Sequence, residues 1–298
     1  MTARVPTASA LAELVRLPAA LTVVGDTLAG HAAGRGPVAA RHLLLPAASA
    51  CLHLAGMALN DWADRDLDAV ERPERPIPSG RVTPAAALTT GAALTAAGVA
   101  AAGLATGRRG VAVASGIASG VWAYDTVLKH HAVLGPAAMA ACRGLDVLLG
   151  ATTGSLHAAA PAAAGLAAHT AAVTALSRGE VRGTTPAVAA SVAGVTVAGA
   201  LVPVAVARRS TLPATAAAAL AYAATCLPGQ LRAAAAPTAS AARHATRSGL
   251  HAMIPLQATW AARSGRPVTA LVLGGVAAAG SALRRRARTR GHRQVSIT

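Results

Sequence analysis

Apolar stretches of about 20 residues follow one another along almost the whole chain, with short polar segments between them. Each stretch is rich in alanine and glycine and is long enough to cross a lipid bilayer as a helix. We therefore predict an all-α protein, a polytopic bundle of nine to ten transmembrane helices. The predicted spans lie at about 17–33, 40–60, 84–106, 110–128, 134–155, 160–177, 187–207, 211–231, 246–263 and 267–284.

The composition agrees with a membrane protein. Hydrophobic residues make up 54% of the chain and charged residues only 13%, whereas a soluble enzyme carries about 25% charged residues. The abundance of apolar side chains also excludes a disordered chain. We predict a single transmembrane domain over residues 1–298, with an N-terminal interfacial segment at 1–16 and a basic C-terminal tail at 285–298.

The formal net charge of +16 indicates that the basic residues contact an anionic partner. Nucleic acid is not that partner, because a nucleic-acid binder needs aromatic side chains that stack on bases, and here aromatic residues make up only 2% of the chain. We expect membrane lipids instead. Most arginines fall on the side of the N-terminus and the 61–82 loop, so the positive-inside rule predicts a multi-pass cell-membrane protein with these loops in the cytoplasm.

Acidic residues are concentrated where the second predicted span ends. Of the 11 Asp and Glu residues in the chain, six fall at positions 61, 64, 66, 68, 71 and 74. Asn60, Asp64 and Asp68 recur every four residues and share one helical face, which Asp61 joins. Neighbouring carboxylates repel one another unless a cation lies among them, and oxygen ligands suit Mg²⁺ that is shared with substrate phosphates. We favour this interpretation over a solvated, negatively charged helix end.

The loop after the acidic residues carries candidate anion-binding side chains. Three prolines, at positions 73, 76 and 78, stiffen it, and Gly80 permits a turn. We expect Arg75 and Arg81 to face an anionic ligand that the metal holds.

The pattern Asn-x-x-x-Asp-x-x-x-Asp at 60–68, followed by Arg-Pro-Ile-Pro-Ser-Gly-Arg at 75–81, resembles the first signature of the UbiA superfamily of intramembrane prenyltransferases. The resemblance implies a helical bundle whose central cavity opens to the cytoplasmic side and to lipid. It also implies Mg²⁺-dependent transfer of an isoprenyl group from its diphosphate to an aromatic or other lipophilic acceptor. By this resemblance Asn60, Asp64 and Asp68 hold the metal, the two aspartates are catalytic, and Arg75 contacts the diphosphate.

Two further segments resemble the family less closely. Its members carry a Tyr and a Lys after the fourth helix; Tyr124 and Lys129 resemble them, with one residue more between them. Lys129 would then assist the departing diphosphate, and an ordinary interfacial anchor is an equal alternative. The second Asp-rich motif corresponds to 177–184, where Glu180 is the only carboxylate. The resemblance makes Glu180 a further metal ligand, with Arg178 and Arg182 replacing part of the missing metal charge.

The departure in the second motif is similar to a divergent, EboC-like branch of the superfamily. It leaves open an alternative function, a membrane carrier or binding protein for an isoprenoid or another lipophilic anion. In the fifth predicted span, Arg143 and Asp146 lie one turn apart, where ionisable residues face a cavity or each other. An ion pair and a substrate-binding role are both open for them, and Asp26 in the first predicted span is a further cavity candidate.

Overall fold

The regular structure consists of helices. The coordinates, a computed structural model, describe residues 6–16, 24–276 and 278–279. Within them lie α1 (Ala8–Leu14), α2 (Val24–Gly34), α3 (Leu44–Ala63), α4 (Arg65–Glu71), α5 (Pro84–Thr106), α6 (Arg108–Ala123), α7 (Leu134–Ala151), α8 (Leu156–Ser177), α9 (Pro186–Ala205), α10 (Leu212–Ala235), α11 (Ala239–Arg263) and α12 (Pro267–Val276). Short turns of 3₁₀ helix cover Ala40–Leu43 and Arg178–Glu180, and a π-helical turn covers Tyr124–Leu128.

The helix starts follow from the sequence. Thr83 and Thr185 precede α5 and α9, and the hydroxyl of each accepts a hydrogen bond from the amide three residues later, at 3.1 and 3.2 Å. A proline follows each threonine at the first helical position, where its missing N–H leaves no helical carbonyl without a donor.

Seven helices among the described residues are long and apolar enough to cross a membrane, which confirms the predicted all-α transmembrane class. They are Ala40–Ala63, Pro84–Thr106, Arg108–Leu128, Leu134–Ala151, Leu156–Glu180, Pro186–Ala205 and Leu212–Ala235.

The three other predicted spans differ from these seven. The first, at 17–33, lies partly outside the described residues, and only the 11-residue α2 represents it. The span at 246–263 belongs to α11, whose many polar side chains keep its hydropathy low. The span at 267–284 is described only as the short α12 and residues 278–279. The predicted basic tail lies outside the described residues.

Contacts divide the chain into two compact units, residues 1–175 and 176–298. In the first unit, α3 packs along α5, α2 packs along α7, and α6 contacts both α5 and α7. In the second unit, α10 packs against both α9 and α11. The prediction of one domain over the whole chain stays a prediction.

The backbones of α2 and α7 approach each other closely. A Cβ atom on Gly30 would lie 1.7 Å from the Val147 carbonyl oxygen, and one on Gly150 would lie 2.0 Å from the carbonyl oxygen of Thr27. Only glycine fits at these two positions, as at close helix contacts in membranes generally. The contact also sets the charged side chains of the two helices against each other.

We predict that Gly30→Ala destabilises the first unit by about 1–3 kcal/mol or more, because the added methyl group meets a backbone atom that no side-chain motion can displace. Thermal unfolding in detergent would measure the loss. Gly194→Ala in α9 is the matched control, since a Cβ there meets nothing within 4 Å. Equal unfolding temperatures for the two variants would contradict the close helix contact.

Candidate active site

The acidic segment sits at a shallow break between two helices. Asp64 ends α3 and precedes α4, yet its amide donates to the Asn60 carbonyl at 2.9 Å and its carbonyl accepts from the Asp68 amide at 2.8 Å. The hydrogen-bond ladder therefore continues through the break. Asp61 and Asp68 are only 4% and 3% exposed, whereas the Asp66 side chain is 89% exposed. A solvated helix end describes Asp66 but neither of the two buried aspartates.

Arginines satisfy the buried carboxylates. Nη1 of Arg75 lies 3.2 Å from Oδ1 of Asp61 and 2.6 Å from Oδ2 of Asp68, so one guanidinium bridges both. Arg16, just after α1, approaches the same Asp61 oxygen at 2.8 Å. Arg72 reaches Asp68 only at 3.9 Å. In this structure Arg75 is thus ion-paired with Asp61 and Asp68, and its predicted contact with a diphosphate stays a prediction.

The loop that carries Arg75 folds back tightly on the end of α3. The amide of Ser79 donates to the carbonyl of Arg75 at 3.0 Å, and the chain turns at Gly80, whose φ of 73° favours glycine. Ile77 and Val82 are buried in a small core with Leu14 of α1. Burial of these apolar residues holds the loop in place.

Arg81 does not contact the carboxylates that Arg75 bridges. Its guanidinium donates to the two carboxylate oxygens of Glu13 at 2.5 and 3.0 Å and to the carbonyl of Glu74 at 2.6 Å. The hydrogen bond from Arg81 lowers the pKa of Glu13. In this structure Arg81 ties α1 to the loop.

The π-helical turn at the end of α6 explains the unusual Tyr-to-Lys spacing. The amide of Lys129 donates to the carbonyl of Tyr124 at 2.9 Å, five residues back, so the turn absorbs the extra residue. The ammonium group of Lys129 is ion-paired with Asp64 and its side chain is only 10% exposed. The ion pair and the low exposure favour a role for Lys129 in the site over an interfacial anchor, and its contact with a diphosphate stays a prediction.

The π-helical turn also presents a residue that sequence reasoning missed. Asp125 is buried and accepts a hydrogen bond from Nδ2 of Asn60 at 3.3 Å. A signal was available, because Asp125 is a carboxylate inside a predicted span, where such residues are rare.

A cavity of about 230 Å³ extends from this site into the first unit. Asn60, Tyr124 and Asp125 line it beside the acidic segment, and His53 and Arg143 line it further along α3 and α7. The wall between these polar groups is largely apolar and includes Gly56, Met57, Val121 and Met139. A hydrophobic molecule with polar ends fits such a space.

Arg143 makes its ion pair with Asp26 of α2. Asp146 accepts a hydrogen bond from Oγ of Ser49 at 2.8 Å. The ion pair of Arg143 is therefore made with Asp26 and not with Asp146, as the sequence had suggested. Arg143 lines the cavity, whereas Asp146 does not, and a substrate-binding role for either residue stays a prediction.

The second unit holds the residues of the predicted second motif. Glu180 ends the 3₁₀ turn that begins at Arg178, and its carbonyl accepts a hydrogen bond from Nη1 of Arg243 at 2.5 Å. Arg178 is exposed on the same turn. Whether either residue binds metal or substrate stays a prediction.

The donors in the first unit fit a magnesium ion that is shared with a substrate. Across the described part of the chain, no three His, Cys, Asp or Glu side chains converge as a metal site. Mg²⁺ at phosphate-binding sites commonly takes only one or two carboxylates, with phosphate oxygens and water as its remaining ligands. Asn60, Asp64 and Asp68 are oxygen donors of this kind.

The sequence profile of the UbiA prenyltransferase family matches residues 20–249. The chain therefore belongs to the UbiA prenyltransferase family, which confirms the resemblance drawn from the two signature segments.

Individual relatives and solved structures are also similar to this chain. A digeranylgeranylglyceryl phosphate synthase from Methanopyrus kandleri is 36% identical over 140 residues, which are 46% of this chain and 49% of that protein. The chain thus spans about half the length of this curated relative. The apo structure of a UbiA homologue from Aeropyrum pernix K1 has a TM-score of 0.66 at 19% identity, covering 82% of this chain and 97% of the other. A UbiA homologue from Archaeoglobus fulgidus bound to GPP and Mg²⁺ has a TM-score of 0.61 at 16% identity, with coverages of 87% and 99%.

We predict that Arg75→Met lowers the free energy of unfolding by about 3–5 kcal/mol, because it leaves Asp61 and Asp68 buried without their shared cation. Denaturant titration in detergent would measure the change. Arg72→Met in the same loop is the control and should cost less than about 1 kcal/mol, since its contact is long and half exposed. The bridging role of Arg75 is refuted if the two variants unfold alike.

Proposed function

We propose that the protein transfers an isoprenyl group from its diphosphate to a lipophilic acceptor within the membrane, with Mg²⁺ as cofactor. One set of charged groups carries the proposal: the buried Asp61 and Asp68 and the partly buried Asp64, paired with Arg75 and Lys129 beside an apolar cavity. Family membership supports it, as does the homologue bound to GPP and Mg²⁺.

The charged residues suit the departure of a diphosphate. Asn60, Asp64 and Asp68 would hold Mg²⁺. Bound there, the ion would neutralise charge that develops on the departing oxygens. Lys129 and Arg75 pair with Asp64 and Asp68, and their cations would donate to a diphosphate that the metal holds there.

The cavity suits the reacting prenyl group. As the bond between the prenyl carbon and the diphosphate oxygen breaks, positive charge develops on the allylic carbon, and water would quench it. The largely apolar wall next to Asn60 and Tyr124 excludes water from that carbon. An electron-rich atom of the acceptor then forms the new bond to this carbon and loses its proton, while the diphosphate keeps the electron pair of the broken bond.

The acceptor and the membrane side remain parts of the proposal. The Methanopyrus kandleri relative is named for a prenylated glyceryl phosphate, so assays of this chain need both an aromatic and a glyceryl phosphate acceptor. We place the reaction at the cytoplasmic side of the cell membrane, because the arginine-rich loops flank the acidic segment.

One observation favours the alternative of a carrier or binding protein. Glu180 is the only carboxylate in the segment that corresponds to the second Asp-rich motif. A carrier would bind prenyl diphosphate without releasing diphosphate in the presence of any acceptor, and that result would decide for it.

We predict that Asp64→Asn and Asp68→Asn each reduce prenyl transfer at least about 100-fold, because each loses a charge that the metal or its partner cation requires. The assay would supply geranylgeranyl diphosphate and lipid extract to membranes that contain the protein, and follow diphosphate release and product mass. Chelation of Mg²⁺ should have the same effect.

Asp66→Asn is the matched control for this experiment. It changes the same functional group in the same segment, but its side chain is exposed, so activity should stay within about twofold. Full activity in the Asp64 variant, or a large loss in the Asp66 variant, would be incompatible with the assignment.

A further inference from the structure

The cavity has a second polar end that the proposed chemistry does not use. His53 precedes Asn60 by seven residues on α3, so it lies about 10 Å further along the helix axis at 1.5 Å per residue. Arg143 of α7 also lines the cavity and lies close enough to His53 for the charges of the two side chains to interact. Apolar side chains cover most of the wall between this end and the acidic segment.

Arg143 has N–H donors that no described residue uses. Its side chain is 13% exposed, while its partner Asp26 is completely buried. The contact with Asp26 is the one hydrogen bond that Arg143 makes to any described residue. A guanidinium has five N–H donors, so several remain for a molecule in the cavity.

His53 presents the opposite kind of group. Its Nδ1 lies 3.1 Å from the Ser49 carbonyl oxygen, and a carbonyl can only accept, so Nδ1 carries the hydrogen. The Nε2 atom of the neutral ring is then an acceptor, and no described residue donates to it. A second proton on this ring would set two cations side by side in an apolar cavity.

The charges at this end do not favour an anion. Asp26 balances the positive charge of Arg143, and Asp146 lies one turn further along α7. A carboxylate or phosphate would therefore gain little net attraction. A hydroxyl group fits, because its oxygen accepts from Arg143 while its hydrogen is donated to His53.

We infer that His53 and Arg143 form a subsite for an uncharged hydroxyl group on the prenyl acceptor, at the end of the acceptor remote from the departing diphosphate. This inference rests on the proposed function and specifies the class of acceptor. The hydrocarbon skeleton of such an acceptor would lie against Met57, Val121 and Met139.

The test measures binding of three probes with the same tail, 4-hexylphenol, hexylbenzene and 4-hexylbenzoate, by equilibrium dialysis against the purified full-length protein in one detergent. We expect 4-hexylphenol to bind about tenfold more tightly than hexylbenzene, the effect of one or two hydrogen bonds, and 4-hexylbenzoate no more tightly than hexylbenzene. His53→Leu should reduce the phenol preference to within about twofold.

His157→Leu is the matched control, because His157 is exposed on α8 and does not line the cavity; it should keep the phenol preference. Equal binding of 4-hexylphenol and hexylbenzene by the wild-type protein overturns the inference without any variant. So does tightest binding of the carboxylate, or a preference that survives in His53→Leu.

Binding of geranyl diphosphate with Mg²⁺ is measured on the same samples, to separate the two claims. If the diphosphate binds but the probes show no hydroxyl preference, the subsite is wrong and the proposed function stands. If the wild-type protein does not bind the diphosphate, the proposed function is wrong.

Discussion

Carboxylates buried in an apolar bundle remain charged only when cations reach them, and this requirement organises the first unit. The side chains of Asp61 on α3 and Asp68 on α4 are buried. Their cationic partners are Arg75, from the loop after α4, and Arg16, from the end of α1. The loop and α1 therefore close over the end of α3. An uncompensated charge here would cost several kcal/mol.

The same requirement recurs at the other end of the cavity. Asp26 and Arg143 pair across α2 and α7, whose backbones touch at Gly30 and Gly150. The close contact and the ion pair support each other, since larger residues would separate the helices and leave Asp26 buried alone. The cavity thus lies between two charged clusters, and an apolar wall joins them.

The two ends differ in the groups that they present, which gives them different chemistry. Beside the acidic segment, cations and oxygen ligands are abundant and suit a diphosphate with its metal. At His53 and Arg143, a donor and an acceptor face the cavity without excess positive charge. One cavity can therefore distinguish an uncharged prenyl acceptor at one end from the anionic prenyl diphosphate at the other.

The sequence by itself determined the seven long apolar helices among the described residues and the acidic segment, because span length, proline starts and four-residue spacing are local properties of a helix. It did not reveal that Lys129 reaches Asp64, that Asn60 donates to Asp125, or that Arg143 pairs with Asp26. These contacts join different helices. Which side chains meet depends on how each helix is rotated and how closely its neighbours approach, and only the tertiary structure decided that.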